Sequence, residues 1–129
     1  MTNWEEPIEL RKHKRFRADE NALIVFRPHS IKVASIVDIG MGGLTFRYSD
    51  IGSKEPLKEL SELDIILLDR DFHLEKVPCE SQRDWEIYKV HAGSRAITMR
   101  QCAVRFGELT QSQMLQLEHF IKNHTVGEV

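Results

Sequence analysis

Leu44, Phe46 and Tyr48 alternate with Thr45 and Arg47 directly behind the run Gly40-Met41-Gly42-Gly43. A period of two marks a strand, because successive side chains leave a pleated backbone on opposite faces. The glycine run ahead of it is the stretch most free to reverse direction, including through positive φ. Ile31–Ile39 supplies the preceding strand, with Ile31, Val33, Ser35 and Val37 on one face. A β-hairpin around residues 40–43 follows, and it commits this part of the chain to antiparallel β-structure.

The rest of the sequence extends that pattern. Ala22–Arg27 is β-branched and aromatic and ends at Pro28-His29-Ser30. Ser49–Glu62 is polar, contains Gly52 and Pro56, and reads as a loop with at most one helical turn. Leu63–Leu68 is a strand, Asp69-Arg70-Asp71 a turn, and Phe72–Leu74 and Lys76–Asp84 two short strands. Ile87–Arg95 holds a hairpin tip at Gly93, and Thr98–Phe106 is a long strand. Near the end the period changes. Thr110 with Gln113 forms a capping box, and Met114, Leu117, Phe120 and Ile121 recur at helical spacing as a core stripe. The helix is expected to fray near Asn123–Gly127. Six or seven short strands followed by one amphipathic helix predict a mainly β chain, a small barrel with a helix packed on it.

With 129 residues the chain fits one domain. It divides into a flexible lead-in over 1–20, the barrel over 21–108, and a helix with its tail over 109–129. No apolar run reaches the roughly 18–20 residues of a membrane helix, and Met1–Pro7 carries no basic leader before an apolar stretch. Both features predict a cytoplasmic protein without membrane insertion, in which Cys79 and Cys102 are reduced core thiols.

Arg11, Lys12, Lys14, Arg15 and Arg17 place five cations in seven residues. They come from a total of 18 basic against 20 acidic residues, so the remainder has 13 against 20, a charge of −7. A short positive stripe on an acidic body suits a compact anion and argues against a nucleic-acid partner, which needs a broad basic face. The six histidines are scattered, and His119 and His124 stand five apart with no cysteine pair before them, so no metal site is predicted. Nucleophile, zinc-protease and phosphate-loop motifs are all missing, which leaves an enzyme nothing to work with.

Two segments remain: Arg11-Lys12-His13-Lys14-Arg15 ahead of the first strand, and Asp38-Ile39-Gly40-Met41-Gly42-Gly43 at the hairpin turn. Their order and spacing resemble the signature of the PilZ domain family, RxxxR followed by (D/N)xSxxG. It reads here as Arg11/Arg15 and Asp38-x-Gly40-x-x-Gly43. Cys102-Ala103-Val104-Arg105-Phe106 is similar to the family's late strand, and Leu117–Ile121 to its closing helix. The resemblance implies a six-stranded antiparallel PilZ-type β-barrel with a C-terminal α-helix. It also implies a non-enzymatic receptor or adaptor for the bacterial second messenger cyclic di-GMP, with no other cofactor. Such a receptor changes conformation on binding and signals to a downstream protein.

The chemistry fits the match. A guanidinium forks onto a phosphate or onto the O6/N7 edge of guanine, the roles expected of Arg11 and Arg15. A carboxylate suits the N1–H/N2–H edge, the role expected of Asp38. Gly42 and Gly43 let backbone approach the ligand, and Gly40 belongs to the same site. One position departs from the pattern, because Gly40 stands where the family has serine. The lost hydroxyl is worth about 0.5–1.5 kcal/mol, so weaker binding is expected and Gly40→Ser should tighten it roughly two- to tenfold. The alternative is a degenerate PilZ adaptor that binds a protein partner and no nucleotide. Leu10, where an arginine could stack on a second ligand, favours one ligand per site. Asp84 is read as a turn residue or a ligand contact, Trp85 as a cap on the barrel, and Arg47, Arg100 and Arg105 as solvent-facing, Arg105 being the one that could line the ligand face.

Overall fold

A computed structural model describes residues 13–26, 32–50 and 60–129. Within them the chain runs β1 (Arg15–Ala18), β2 (Ala22–Phe26), β3 (Lys32–Gly40), β4 (Gly43–Asp50), β5 (Glu62–Leu67), β6 (His73–Ala92), β7 (Arg95–Phe106), α1 (Gln111–Asn123) and β8 (Thr125–Glu128). The strands neighbour one another in the order β2-β5-β6-β7-β4-β3-β1-β8, and β2 also pairs with β3. Six strands therefore close into a ring, all antiparallel, while β1 and β8 extend the sheet outside it.

Alternation decides which side faces inward. Ala22, Ile24 and Phe26 of β2 are buried, and Ala34 and Ile36 of β3 join them, while Val33 is exposed. A register shift between Ile36 and Asp38 then changes the phase of β3, so that Ile39 is buried further along. Leu44, Phe46, Leu63, Ile65, Cys102 and Val104 complete the interior, with the Phe26 and Phe46 rings 5.5 Å apart. Each such large side chain contributes about 1.5–3 kcal/mol when fully buried. Both cysteines are free and buried, as expected.

The hairpin at residues 40–43 forms where expected, but not by the expected means. Among the described residues the glycines at positive φ are Gly93, at the β6–β7 tip, and Gly127. The glycines of the 40–43 turn reverse the chain without it and serve close packing instead.

Three further expectations are corrected. The two short strands expected over 72–84 are one 20-residue strand, β6. Lys76, at φ 53, sits where the β5–β6 register shifts, between the Leu63–Val77 and Ile65–Leu74 pairs. That conformation is costly outside glycine, and it is held from both sides. The buried Asp64 carboxylate accepts the Lys76 backbone N–H at 2.9 Å, and the Gln113 amide donates to the Glu75 and Lys76 carbonyls at 3.0 Å. The capping box at Thr110 is present, yet of the helix stripe Leu117 and Phe120 are buried while Met114 is 41% exposed. Finally, the described parts of the two ends are not loose chain, while residues 1–12 of the lead-in lie outside the described residues. Part of the lead-in, Arg15–Ala18, is strand β1, and the segment expected to fray forms β8 upon it.

Candidate functional site

The sequence places Arg15 and Asp38 23 residues apart, and the β1–β3 register brings them together. Arg15 lies opposite Gly40, and Arg17 opposite Asp38. The Arg15 Nη1 donates to Asp38 Oδ1 at 3.0 Å. Their side chains are 18% and 16% exposed, so the pair is less screened than the surface ion pairs that contribute roughly 0–1 kcal/mol. The shift in β3 at Ile36/Asp38 puts Asp38 opposite Thr45 of β4, beside the turn.

The glycines explain how this assembly fits. A Cβ at Gly40 would collide with the Lys14 carbonyl oxygen and stand 3.1 Å from Arg15 Cδ. A Cβ at Gly43 would collide with the Val104 carbonyl oxygen and stand 3.2 Å from Arg15 Nη2. Gly40 thus lets β1 close on β3, and Gly43 lets the Arg15 guanidinium and the β7 backbone converge on the start of β4. At Gly42 the nearest neighbour is only the His13 ring, 2.9 Å from the same point. The Gly42 carbonyl accepts the Phe106 N–H at 2.9 Å, pinning the turn to β7.

Of the six residues assigned from sequence, Arg15, Asp38, Gly40, Gly42 and Gly43 gather at this corner. Arg11 lies outside the described residues. Arg105 stands opposite Gly43 on β7 and is exposed, next to the same corner.

A second polar cluster was missed. Asp84 lies in mid-strand in β6, not at a turn, and Arg100 is not simply solvent-facing. Tyr48 Oη donates to Asp84 Oδ2 at 2.5 Å and Arg100 Nε to Asp84 Oδ1 at 2.9 Å. Burial, then the Asp84 carboxylate, pushes the Tyr48 phenol well above its ordinary range, and the Asp84 bond raises Arg100 further. Gly43 and Tyr48 are five residues apart on β4, roughly 17 Å at 3.4 Å per residue, so this cluster is separate from the Arg15 corner. Only the pairing of Tyr48 with Arg100 and of Asp84 with Cys102 reveals it. Trp85 also stands in mid-strand, half-buried, with the Arg83 guanidinium 5.6 Å from its ring, and Arg47 reaches Gln101 at 2.9 Å.

Among the described residues no three His, Cys, Asp or Glu side chains gather in a metal-binding group, and no helix is long and apolar enough to cross a membrane. Burial raises the thiols of Cys79 and Cys102, to about 12 and about 11.

No protein-family model matches the chain, and no curated protein resembles it in sequence. Solved structures do match it. The PilZ domain of YcgR from Escherichia coli, solved with c-di-GMP, superposes with a TM-score of 0.67 at 16% identity, covering 89% of this chain and 91% of that one. A longer YcgR structure from Escherichia coli, also in complex with c-di-GMP, gives 0.65 at 12% identity over 88% of this chain and 45% of that one. The MrkH–c-di-GMP complex of K. pneumonia gives 0.61 at 15% identity over 88% and 51%. The chain has the fold of a PilZ domain. It spans nearly all of the isolated YcgR domain and about half of the longer proteins.

Proposed function

We propose that this chain is a non-enzymatic receptor for cyclic di-GMP, with the nucleotide held at the corner between β1, β3 and β4. The observation that carries the reading is the meeting of Arg15 and Asp38 over Gly43, in a fold whose similar structures include domains solved with c-di-GMP. Arg15 supplies a fixed guanidinium for a phosphate or the guanine O6/N7 edge, and Arg11 is the second cation. The Asp38 carboxylate only accepts, so it selects the N1–H and N2–H donors of guanine. Because Arg15 already pairs with Asp38, the ligand has to open or share that bond. Rearrangement of β1 is then the change passed to a downstream protein. No further cofactor takes part, and the protein works in the cytoplasm.

Titration calorimetry with cyclic di-GMP and cyclic di-AMP tests this. The two dinucleotides carry equal charge, but adenine presents a lone pair where guanine presents N1–H. A preference of at least about a hundredfold for cyclic di-GMP, lost on Asp38→Ala, is expected. Equal affinity makes the corner a generic anion trap. One observation favours a second reading, a PilZ-fold adaptor that binds protein alone: Gly40 replaces the serine of the motif, and the Lys14 backbone just ahead of β1 fills the space beside it. Calorimetric silence with both nucleotides decides for that reading.

A further inference from the structure

We propose that β8, the strand after the helix, is a positioning element for Arg15; the inference rests on the reading of that corner as a nucleotide site. β1 is four residues long and lies outside the closed ring. On one side Arg15, Phe16 and Arg17 face Gly40, Ile39 and Asp38 of β3. On the other, Phe16, Arg17 and Ala18 face Glu128, Gly127 and Thr125 of β8.

The bonds flanking this ladder fasten both ends of β1. The Val129 N–H donates to the Arg15 carbonyl at 2.9 Å, and the Asp19 N–H donates to the His124 carbonyl at 3.1 Å. Lys14 Nζ stands 3.4 Å from Glu128 Oε1, but both side chains are more than half exposed and contribute little. A strand this short, held on one edge alone, frays readily, and the second edge is what fixes the backbone from which Arg15 projects.

β8 is itself anchored in the core. Thr125 Oγ1 donates to the Ile121 carbonyl at 2.7 Å, and the His124 N–H donates to the Phe120 carbonyl at 2.8 Å. Phe120 is fully buried, with its ring 5.4 Å from that of Phe72. Position therefore passes from the helix core to β8, from β8 to β1, and from β1 to the Arg15 guanidinium. Linkage makes the coupling reciprocal, so a ligand that engages Arg15 stabilises β8 in the same measure.

The test uses the full chain and two variants. Val129→Pro removes the N–H that reaches Arg15, and deletion of Val126–Val129 removes most of β8 while keeping the Thr125 bond to the helix. Loss of one hydrogen bond predicts about two- to tenfold weaker cyclic di-GMP binding for Val129→Pro, with a larger loss for the deletion. Amide exchange at Phe16–Ala18 should quicken by about tenfold or more, while Ile24, Phe46 and Val104 in the ring keep their protection. In an Arg15→Ala background, Val129→Pro should change affinity by less than about twofold, because the residue being positioned is gone. Unchanged exchange of β1 in the deletion variant overturns the positioning role, as does an affinity loss that persists in full without Arg15. A parent protein that binds no cyclic di-GMP sinks the nucleotide reading instead, and the exchange arm still decides whether β8 holds β1.

Discussion

Gly40→Ser restores the motif serine and sets two effects against each other. The gain is one neutral hydroxyl contact, about 0.5–1.5 kcal/mol, or two- to tenfold in affinity. The cost comes from the Cβ that carries it. That atom would overlap the Lys14 carbonyl oxygen and sit 3.1 Å from Arg15 Cδ and 3.3 Å from Lys14 C. The obstacle is backbone, which cannot swing aside as a side chain does, so β1 has to draw away from β3 at the Arg15/Gly40 position. Overpacking of this kind costs about 1–3 kcal/mol. At about 4 °C per kcal/mol for a chain of this size, the melting temperature should fall by about 4–12 °C. Displacing Arg15 also weakens a charged contact to ligand, where about 1.5–3 kcal/mol is at stake. The hydroxyl does not offset both losses, and binding should weaken by roughly tenfold, the reverse of the expectation from the motif alone. Thermal melts and calorimetry on Gly40→Ser and Gly40→Ala separate the contributions, because alanine adds the Cβ without the hydroxyl. Gly42→Ala is the control, since its added carbon meets only the His13 side chain. A Gly40→Ser protein that melts with the parent and binds more tightly would refute the packing argument.

Three other outcomes follow from the geometry. Arg15→Ala should lose about 1.5–3 kcal/mol of cyclic di-GMP affinity and, because it also strands the half-buried Asp38, should melt a few degrees lower; an unchanged melt would show that the pair stabilises nothing. Cys79 and Cys102, with thiols raised to about 12 and about 11, should resist a thiol reagent at pH 8 until the protein unfolds, so rapid native labelling contradicts the burial. Burial, with Arg70 and His119 adding to it, lowers the pKa of His124. The unfolded chain then takes up the proton more readily, so stability is full above about pH 6.5 and declines as pH falls toward the folded value. Urea unfolding at pH 7 and pH 5 should show this decline, flattened in His124→Phe, and an identical decline in that variant removes His124 as its source.

Local pattern was enough for much of the molecule. Thr110 and Gln113 mark the start of the helix because capping is a four-residue affair, and the alternation of Leu44, Phe46 and Tyr48 declares β4 because pleating has a fixed period. The motif spacing likewise nominated Arg15, Asp38 and the glycines, which do gather at one corner. What sequence could not decide depends on register between distant strands. Asp84, Tyr48 and Arg100 form a cluster only because β4, β7 and β6 align Tyr48 with Arg100 and Asp84 with Cys102. The role of Gly40 depends on which backbone lies against it, and that is Lys14, 26 residues earlier and just ahead of β1. The segment Thr125–Glu128, polar and with a glycine, has no strand signal of its own. It becomes β8 because the buried Phe120 and the His124 turn deliver it to the open edge of β1, where paired backbone groups are cheaper than unpaired ones.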